Sequence, residues 1–221
     1  MIHVVAGAVI DAAGRVLIAQ RPPGKHLAGG WEFPGGKLEP GEARATGLER
    51  ELREELGIAI RNPRPLIRVR HPYPQGEVLI DMWVVKSYSG EPRGLDGQAL
   101  KWLSQEELEE AELLPADGPI VRALRLPERL TEAVSDFYEV RDALPAGRSS
   151  GALLQGLYCS TLEEGHAAAG LGADFVVMRS ELADREVALL CQALAIPIFV
   201  PAKTPETSFL LGASGLNDIK A

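Results

Sequence analysis

The stretch of chain from Gly35 to Ile58 constrains the fold of this protein more than any other. It reads GGKLEPGEARATGLERELREELGI, so a Gly-Gly pair, Glu42 and an acidic run beginning at Arg50 stand at fixed distances from one another. Apolar residues recur in it at steps of three and four, which predicts an amphipathic helix over residues 43–56. Gly57 stands where a helix commonly ends on a left-handed glycine. We therefore expect a loop, one helix and a second loop.

Three carboxylates of this helix share one face. Glu51, Glu54 and Glu55 are three and four positions apart, so their Cβ atoms lie about 5–6 Å from one another on a helix. Like charges at this spacing repel, whereas Mg²⁺, or Mn²⁺ in its place, would bind to them because hard cations prefer oxygen ligands. The carbonyl of Gly36 can also approach a metal, since no Cβ stands beside it. Arg50 lies one turn before Glu54 and can pair with it, so the pattern predicts an organised divalent-metal site.

The composition limits the classes of ligand. The chain has 221 residues, 24% of them charged, with a net charge of −8 and a pI of about 5.1. Proteins that bind nucleic-acid polymers usually present a basic stripe, so this acidic balance excludes such a partner and favours a small phosphate compound with metal. No apolar run is long enough to cross a bilayer and the first residues lack the features of a secretory signal, so we expect a cytoplasmic protein without a membrane partner. Cys159 and Cys191 are expected to be reduced core residues.

The spacing from Gly36 to Ile58 resembles the Nudix box in every fixed position. The residues that lead into the box, WEFPGGK at positions 31–37, are similar to those of the MutT-like subgroup. The resemblance extends over about residues 2–126. It implies an α/β fold, an α/β/α sandwich around a mixed sheet, with the box as a loop, helix and loop on one flank.

For a MutT-like chain, the implied activity is Mg²⁺-dependent hydrolysis of a nucleoside triphosphate to its monophosphate and pyrophosphate. The preferred substrate would be 8-oxo-dGTP, in sanitation of the nucleotide pool. Arg50 and the three carboxylates would form the catalytic site, and Asp96 matches a carboxylate that joins the metal in this subgroup. Glu54 is our first expectation for the base that takes a proton from water, and Asp96 is the second. Open alternatives are another nucleoside triphosphate, a nucleotide sugar, a dinucleotide, or a nucleotide-sensing module without catalysis.

Five residues outside the metal face are expected to contact the substrate. Arg21 could clamp a phosphate with two hydrogen bonds, and Lys37 follows the Gly-Gly pair and could also contact phosphate. Phe33 and Tyr73 are candidates for an aromatic platform under the base. Asp117 matches the position where MutT-like enzymes carry an asparagine that reads the oxidised purine. An ionised aspartate only accepts hydrogen bonds, whereas one protonated in a dry pocket would also donate.

The chain is expected to have three parts. These are a Nudix domain over residues 1–127, a linker over residues 128–150, and a second region over residues 151–221. A helix over residues 130–140 is one expectation within the linker. In the second region, predicted strands and helices alternate with short connections and end in a helical turn over residues 205–211. Such alternation indicates βαβ units on a parallel sheet.

The second region resembles part of a thiamine-phosphate synthase barrel at TLEEGHAAAGLGADFVVM, residues 161–178. A complete barrel needs about 200–250 residues, whereas the second region has about 70. Pro201-Ala202-Lys203 stands where that family carries a glycine-rich phosphate turn. We therefore expect a partial, half-barrel-like domain that serves packing or dimerisation and not that synthase activity. A homodimer is one open alternative for the chain.

Overall fold

The computed structural model describes residues 1–131, 138–143, 154–179, 183–194, 196–201 and 215–217. Within that part of the chain, the helices are all too short or too polar to span a membrane. The chain divides into two compact units. The first comprises Met1–Arg64 and Val69–Val121, and the second comprises Pro65–Arg68 and Arg122–Ala221.

A mixed four-stranded sheet lies at the centre of the first unit. Its strands run in the order β4 (Gly35–Lys37), β1 (Ile2–Val9), β7 (Gly76–Val85) and β6 (Arg64–Tyr73). Strand β1 pairs in parallel with β7 and in antiparallel fashion with β4, which confirms the predicted mixed sheet. Two smaller antiparallel sheets consist of β3 (Trp31–Glu32), β2 (Val16–Gln20) and β9 (Leu100–Leu103), and of β5 (Ala59–Arg61) with β8 (Ser87–Ser89).

Three helices accompany these strands, namely α1 (Arg44–Leu56), α2 (Gln105–Glu110) and α3 (Gly118–Ala123). Helix α1 ends at Gly57, whose φ of 70° is left-handed as predicted. Helix α2 begins with a capping box: the Ser104 hydroxyl accepts from the Glu107 N–H, and the Glu107 carboxylate accepts from the Ser104 N–H. The predicted end of α1 at Gly57 is therefore confirmed.

The apolar face of α1 packs on the central sheet. Leu48, Leu52 and Leu56 are fully buried, in one cluster with Val5 of β1. Burying each leucine contributes about 2 kcal/mol. The helix approaches β1 closely because Gly7 has no side chain, and a Cβ there would stand 3.0 Å from Leu52 Cδ1. This packing fixes the helix rotation, so the carboxylate face is directed away from the core.

Charged contacts hold the first turn of α1 on the sheet. Arg44 Nη1 donates to Asp81 Oδ1 of β7 at 3.1 Å, and His3 Nε2 lies 2.5 Å from Asp81 Oδ2. Asp81 is only 3% exposed, so these partners offset the cost of burying its carboxylate. The helix start is thereby tied to both β1 and β7.

Six parallel strands form the sheet of the second unit. Their order is β10 (Arg129–Leu130), β15 (Gly215–Asn217), β14 (Ile198–Val200), β13 (Phe175–Met178), β12 (Leu154–Cys159) and β11 (Tyr138–Arg141). Two helices connect them, α4 (Leu162–Gly170) after β12 and α5 (Asp184–Ala193) after β13. The alternation of strands and helices and the parallel sheet agree with the sequence prediction.

The expectation of a helix over residues 130–140 is wrong at both described ends. Residues 129–130 and 138–141, within the stretch expected to be a linker, are strands β10 and β11. In β11, Tyr138 and Val140 are buried while Arg141 is exposed, which is the alternation of a strand and not the spacing of a helix. The helical turn expected over residues 205–211 lies outside the described residues.

Aromatic packing fills the core of this sheet. The Phe175 ring makes edge contacts with Tyr138 and Phe199, at centroid separations of 6.0 and 5.6 Å. The ring lies directly over Gly156 of β12, where any Cβ would overlap it. Cys159 and Cys191 are both buried in the core, as expected, and no disulfide joins them.

Candidate active site

A cavity of about 710 Å³ in the first unit is bordered by the carboxylate face of α1. Two sets of polar side chains line it. The acidic group consists of Glu51, Glu54 and Glu55 of α1 with Asp96 from the loop after β8. The inner group consists of Arg21, Glu32, Tyr73 and Asp117. The first set comes mostly from one helix, and the second from four separate segments.

Arg50 organises the loop and helix behind the acidic group. Its Nε and Nη2 donate to the two oxygens of Glu42 at 3.0 and 2.9 Å, and Nη2 also donates to the carbonyl of Lys37 at 3.1 Å. Its Nη1 donates to Glu51 at 2.7 Å and to Glu54 at 3.3 Å. The guanidinium lowers the pKa of Glu42 chiefly through these hydrogen bonds, so that carboxylate stays ionised. Arg50 does not itself line the cavity. It positions groups that do.

The Gly-Gly pair lies against two of the carboxylates. A Cβ at Gly36 would overlap the Glu51 carboxylate, so glycine is required for this close approach. The Gly35 N–H donates to Glu55 Oε2 at 3.1 Å. The strand before the helix and the carboxylates on the helix thus form one continuous polar surface.

Glu55 has the most perturbed acidity of the acidic group. Burial raises its pKa to about 7, and the charges of Glu32 and Glu51 add to the effect, while the Gly35 N–H and the charge of Lys25 oppose it. A cation placed among these carboxylates would relieve both the desolvation and the repulsion.

Asp96 is held near the helix by the backbone of its own loop. The Leu95 N–H and the Gln98 side-chain amide both donate to the Glu55 carbonyl, at 2.9 and 3.1 Å. The Gln98 side-chain oxygen in turn accepts from the Asp96 N–H at 2.9 Å. The Asp96 carboxylate is half exposed and lines the cavity, as predicted for a fourth acidic residue.

These donors fit a hard divalent cation in their chemistry. Across the described ranges, no three acidic, histidine or cysteine side chains converge closely enough to form a ready metal cluster. Glu51 and Glu54 instead bond to Arg50, and Glu55 bonds to the Gly35 N–H. All the available ligands are nonetheless oxygen atoms, with negative charge in excess of the nearby cations, which is what Mg²⁺ and Mn²⁺ prefer.

Apolar side chains of strands β1 and β7 form one wall of the cavity. In the parallel register of β1 and β7, Ile2 lies opposite Val78, and Val4 opposite Ile80. All four line the cavity and are only partly buried. Because alternate strand residues face the same side, the neighbouring positions point toward α1 instead. A flat apolar surface of this kind suits the face of a nucleobase.

Asp117 is the most confined member of the inner group. It is 5% exposed, and its Oδ2 has no hydrogen-bond partner among the described residues. Burial raises the pKa of Asp117 to about 8, with a further rise from the charge of Glu32 and an opposing effect from Arg21. Arg21 Nε lies 3.3 Å from Glu32 Oε1. An unpaired buried carboxyl that faces a cavity is the usual mark of a ligand-binding group.

The two candidate aromatic residues, Tyr73 and Phe33, differ in whether they line the cavity. Tyr73 lines the cavity, its ring centroid 4.6 Å from that of His71 and 5.8 Å from that of His26. Phe33 is 4% exposed and does not line the cavity, so the prediction of a platform role for it is wrong. Its neighbour Glu32 takes the cavity-facing position because successive strand residues point to opposite sides.

The comparison with protein families agrees with this arrangement. The family model of the NUDIX domain matches residues 5–123, more than half of the chain. The chain belongs to the Nudix family. As a member of it, the protein is a hydrolase that acts on phosphorus anhydrides, and Nudix hydrolases generally use divalent metals.

Individual relatives match the same part of the chain. The CTP pyrophosphohydrolase of Escherichia coli (strain K12) is 41% identical over 123 residues, which cover 56% of this chain and 90% of that protein. The 8-oxo-dGTP diphosphatase of Haemophilus influenzae is 34% identical over 124 residues, which cover 56% and 91%. The solution structure of the E. coli ORF135 protein is 39% identical with a TM-score of 0.51, and the match covers 56% of this chain and 87% of that one.

The Nudix cavity brings together most of the residues singled out from the sequence. Gly36, the helix carboxylates, Arg21, Lys37, Tyr73, Asp96 and Asp117 all line it. Sequence reasoning missed Glu32 and Lys25, and it assigned no role to His26. Glu32 lies within the lead-in to the Nudix box, but strand β3 has only two residues, so strand alternation could not have indicated which side chain faces the cavity.

Proposed function

We propose that this Nudix hydrolase cleaves nucleoside triphosphates to the monophosphate and pyrophosphate, with Mg²⁺ or Mn²⁺ as the cofactor. One observation carries the proposal: the acidic group and the unpaired Asp117 carboxyl line the same cavity. Carboxylates around a metal suit a phosphate chain, and a confined polar group beside an apolar wall suits a base. The relatives named above act on such compounds, which supports the same substrate class here.

Separate residues of the site would bind the metal, bind the phosphate chain and position the carboxylates. Glu51, Glu54 and Glu55, with the Gly36 carbonyl and Asp96, would hold the cation. When bound, it would offset the charge of the phosphates and make water a better nucleophile. The side chains of Lys37 and Arg21, which line the cavity, would bind phosphate oxygens. The planar guanidinium of Arg21 can donate two hydrogen bonds to one phosphate. Arg50 would keep the carboxylates in position.

Glu54 remains the first candidate for the base that accepts the proton from water. Its side chain is 62% exposed, and its hydrogen bond from Arg50, at 3.3 Å, is longer than those to Glu42 and Glu51. The Glu54 carboxylate can therefore turn toward a substrate with little loss of stabilising contact. Glu51 is held at 2.7 Å by the same guanidinium and is much less exposed. Asp96, on an exposed loop, is the second candidate.

The hydrogen-bonding groups of Asp117 match an oxidised purine as the base. With a pKa of about 8, its carboxyl is protonated at neutral pH and presents one O–H donor and one carbonyl acceptor. An asparagine side chain presents the same pair, so the departure from the MutT-like pattern conserves its hydrogen-bonding capacity. Tyr73 and the apolar wall would contact the faces of the ring. These features support 8-oxo-dGTP as the preferred substrate.

A pyrimidine triphosphate is the second candidate. The relative named a CTP pyrophosphohydrolase is 41% identical, compared with 34% for the diphosphatase of H. influenzae. A protonated carboxyl also complements cytosine, because it can donate to N3 and accept from the exocyclic amine. The inner group is compatible with either base.

The test is kcat/KM for 8-oxo-dGTP, dGTP, CTP and dCTP with Mg²⁺, in the wild type and in two variants. We expect 8-oxo-dGTP to exceed dGTP by about 100-fold or more, Asp117→Asn to keep this preference, and Asp117→Leu to lose most of it. Highest kcat/KM for CTP or dCTP would select the second candidate. Turnover of nucleotide sugars or dinucleotides alone would replace the substrate class, and binding without any turnover would indicate a sensing module.

A further inference from the structure

Lys25 is a cavity residue for which the proposed chemistry leaves no role. It lies in the loop between β2 and β3, and its Nζ stands 4.0 Å from Asp96 Oδ2. Its charge also acts on Glu55 and Glu32, where it opposes the effect of burial on the pKa. One ammonium group therefore faces carboxylates from three separate segments.

The loop that carries Lys25 is attached at its base and near its tip. At the base, the Arg21 N–H donates to the Gly30 carbonyl, and the Gly29 N–H donates to the Arg21 carbonyl, at 2.9 and 3.0 Å. Near the tip, His26 Nδ1 lies 3.3 Å from Gln75 Nε2. The backbone is thus fixed beside the cavity, while the lysine side chain is half exposed and has several rotatable bonds.

We propose that Lys25 is an exchangeable counter-ion of the acidic group. It neutralises Asp96 and its neighbours in the metal-free protein, gives way to a divalent cation, and then pairs with the phosphate chain of the nucleotide. This inference rests on the proposed function, because it assigns a further residue of the same site. An ammonium and a divalent cation compete for the same carboxylates, and a triphosphate offers the displaced ammonium a stronger anionic partner.

If Lys25 exchanges in this way, removing its charge should strengthen Mn²⁺ binding and weaken nucleotide binding. Lys25→Met lacks the competitor, so Mn²⁺ should bind about three- to fivefold more tightly in the absence of nucleotide at low ionic strength. The same variant lacks a phosphate partner, so KM should rise about tenfold while kcat changes less than about threefold. A residue that only supports the loop would weaken both interactions together.

The experiment is a Mn²⁺ titration of the full-length protein without nucleotide, followed by steady-state kinetics on the same preparations. Lys86→Met is the matched control, because Lys86 is exposed, does not line the cavity, and gives the same change in net charge. Lys25→Arg keeps the positive charge and should restore KM to within about threefold of the wild type. Both measurements should be unchanged in the Lys86 variant.

The outcomes separate this proposal from the proposed function. Tighter Mn²⁺ binding with a raised KM, confined to Lys25→Met, is the expected result. Unchanged or weaker Mn²⁺ binding in that variant would overturn the counter-ion role even if hydrolysis by the wild type is normal. Absence of Mn²⁺ binding by the wild type would overturn the proposed metal site itself, and the counter-ion role with it.

Discussion

The acidic group and the inner group treat their charges in opposite ways. Behind the acidic group, Arg50 donates to Glu42, Glu51 and Glu54 and to one carbonyl, so two of the four acidic side chains share one cation within the protein. In the inner group, Asp117 is buried with one oxygen unpaired. The first arrangement is partly neutralised within the protein and keeps an excess of negative charge for a cation. The second costs folding free energy and is completed only by a ligand.

This difference distinguishes the part of the site that serves all phosphate-chain substrates from the part that selects among bases. A preformed set of carboxylates can serve any pyrophosphate linkage, since the phosphate chain is common to all such substrates. A confined carboxyl without a partner discriminates among bases, because only a base with matching donors and acceptors satisfies it. We expect changes in the acidic group to abolish turnover, and changes in the inner group to alter preference and stability.

The largest effect should come from Glu54→Gln. Loss of one carboxylate removes a metal ligand and the first candidate for the base, so kcat should fall by about a thousandfold or more while the melting temperature stays within a few degrees. The measurement is pyrophosphate release at saturating Mg²⁺. Glu91→Gln is the control, since Glu91 is exposed and does not line the cavity. Near-normal turnover in Glu54→Gln would refute the assignment of the acidic group.

Arg50→Met should reduce both activity and stability. Its removal leaves Glu42 and Glu51 without their shared partner, so we expect kcat/KM to fall by about 100-fold and the free energy of unfolding by about 2 kcal/mol. The control on the same helix is Arg53→Met, because the Arg53 side chain pairs with Glu49 on the exposed face and its loss should change stability by less than about 0.5 kcal/mol. Equal effects from the two variants would contradict the organising role of Arg50.

Gly36→Ala should have a smaller effect. The added methyl overlaps the Glu51 carboxylate and displaces it, so kcat/KM should fall by about tenfold with little loss of stability. Gly170→Ala is a matched control, because a Cβ there meets nothing within 4 Å. Kinetics and thermal denaturation of the two variants provide the measurement. A kinetically silent Gly36→Ala would show that the Glu51 position is not critical.

The last effect is on stability and not on turnover, and it concerns the inner group and depends on pH. The pKa of Asp117 is raised to about 8 in the folded protein, so between about pH 4 and pH 8 the unfolded state binds fewer protons and stability falls as pH rises. Asp117→Asn carries no charge, so its stability advantage over the wild type should grow by several kcal/mol across this window. Denaturant titrations at pH 5 and pH 8 measure the difference. A constant difference would mean that Asp117 is not protonated in the folded state.

The two groups also differ in how far the sequence reveals them. The helix α1, its terminal Gly57 and the carboxylate face follow from one continuous segment, because helical periodicity and turn chemistry act over a few residues. The charges that act on Asp117 come from Arg21 and from Glu32 of strand β3, and no local pattern joins such distant positions. Phe33 and Glu32 show the limit, since a two-residue strand is too short for alternation to indicate which residue faces the core.

The second unit shows a related limit. Its alternating strands and helices were predictable from composition and spacing, because parallel βα units repeat a simple pattern. The strands β10 and β11 were not, because their apolar residues are few and fit either a helix or a strand in isolation. Pairing with neighbours in the six-stranded sheet decides between the two.

In the proposed reaction, the acidic group supports cleavage of a nucleoside triphosphate between its α and β phosphates. Analysis of the products formed from 8-oxo-dGTP, with Mg²⁺ and again with excess chelator, tests it most directly. We predict nucleoside monophosphate and pyrophosphate in equal amounts with Mg²⁺, and no products with chelator. Release of inorganic phosphate and nucleoside diphosphate, or turnover unchanged by the chelator, would contradict the account.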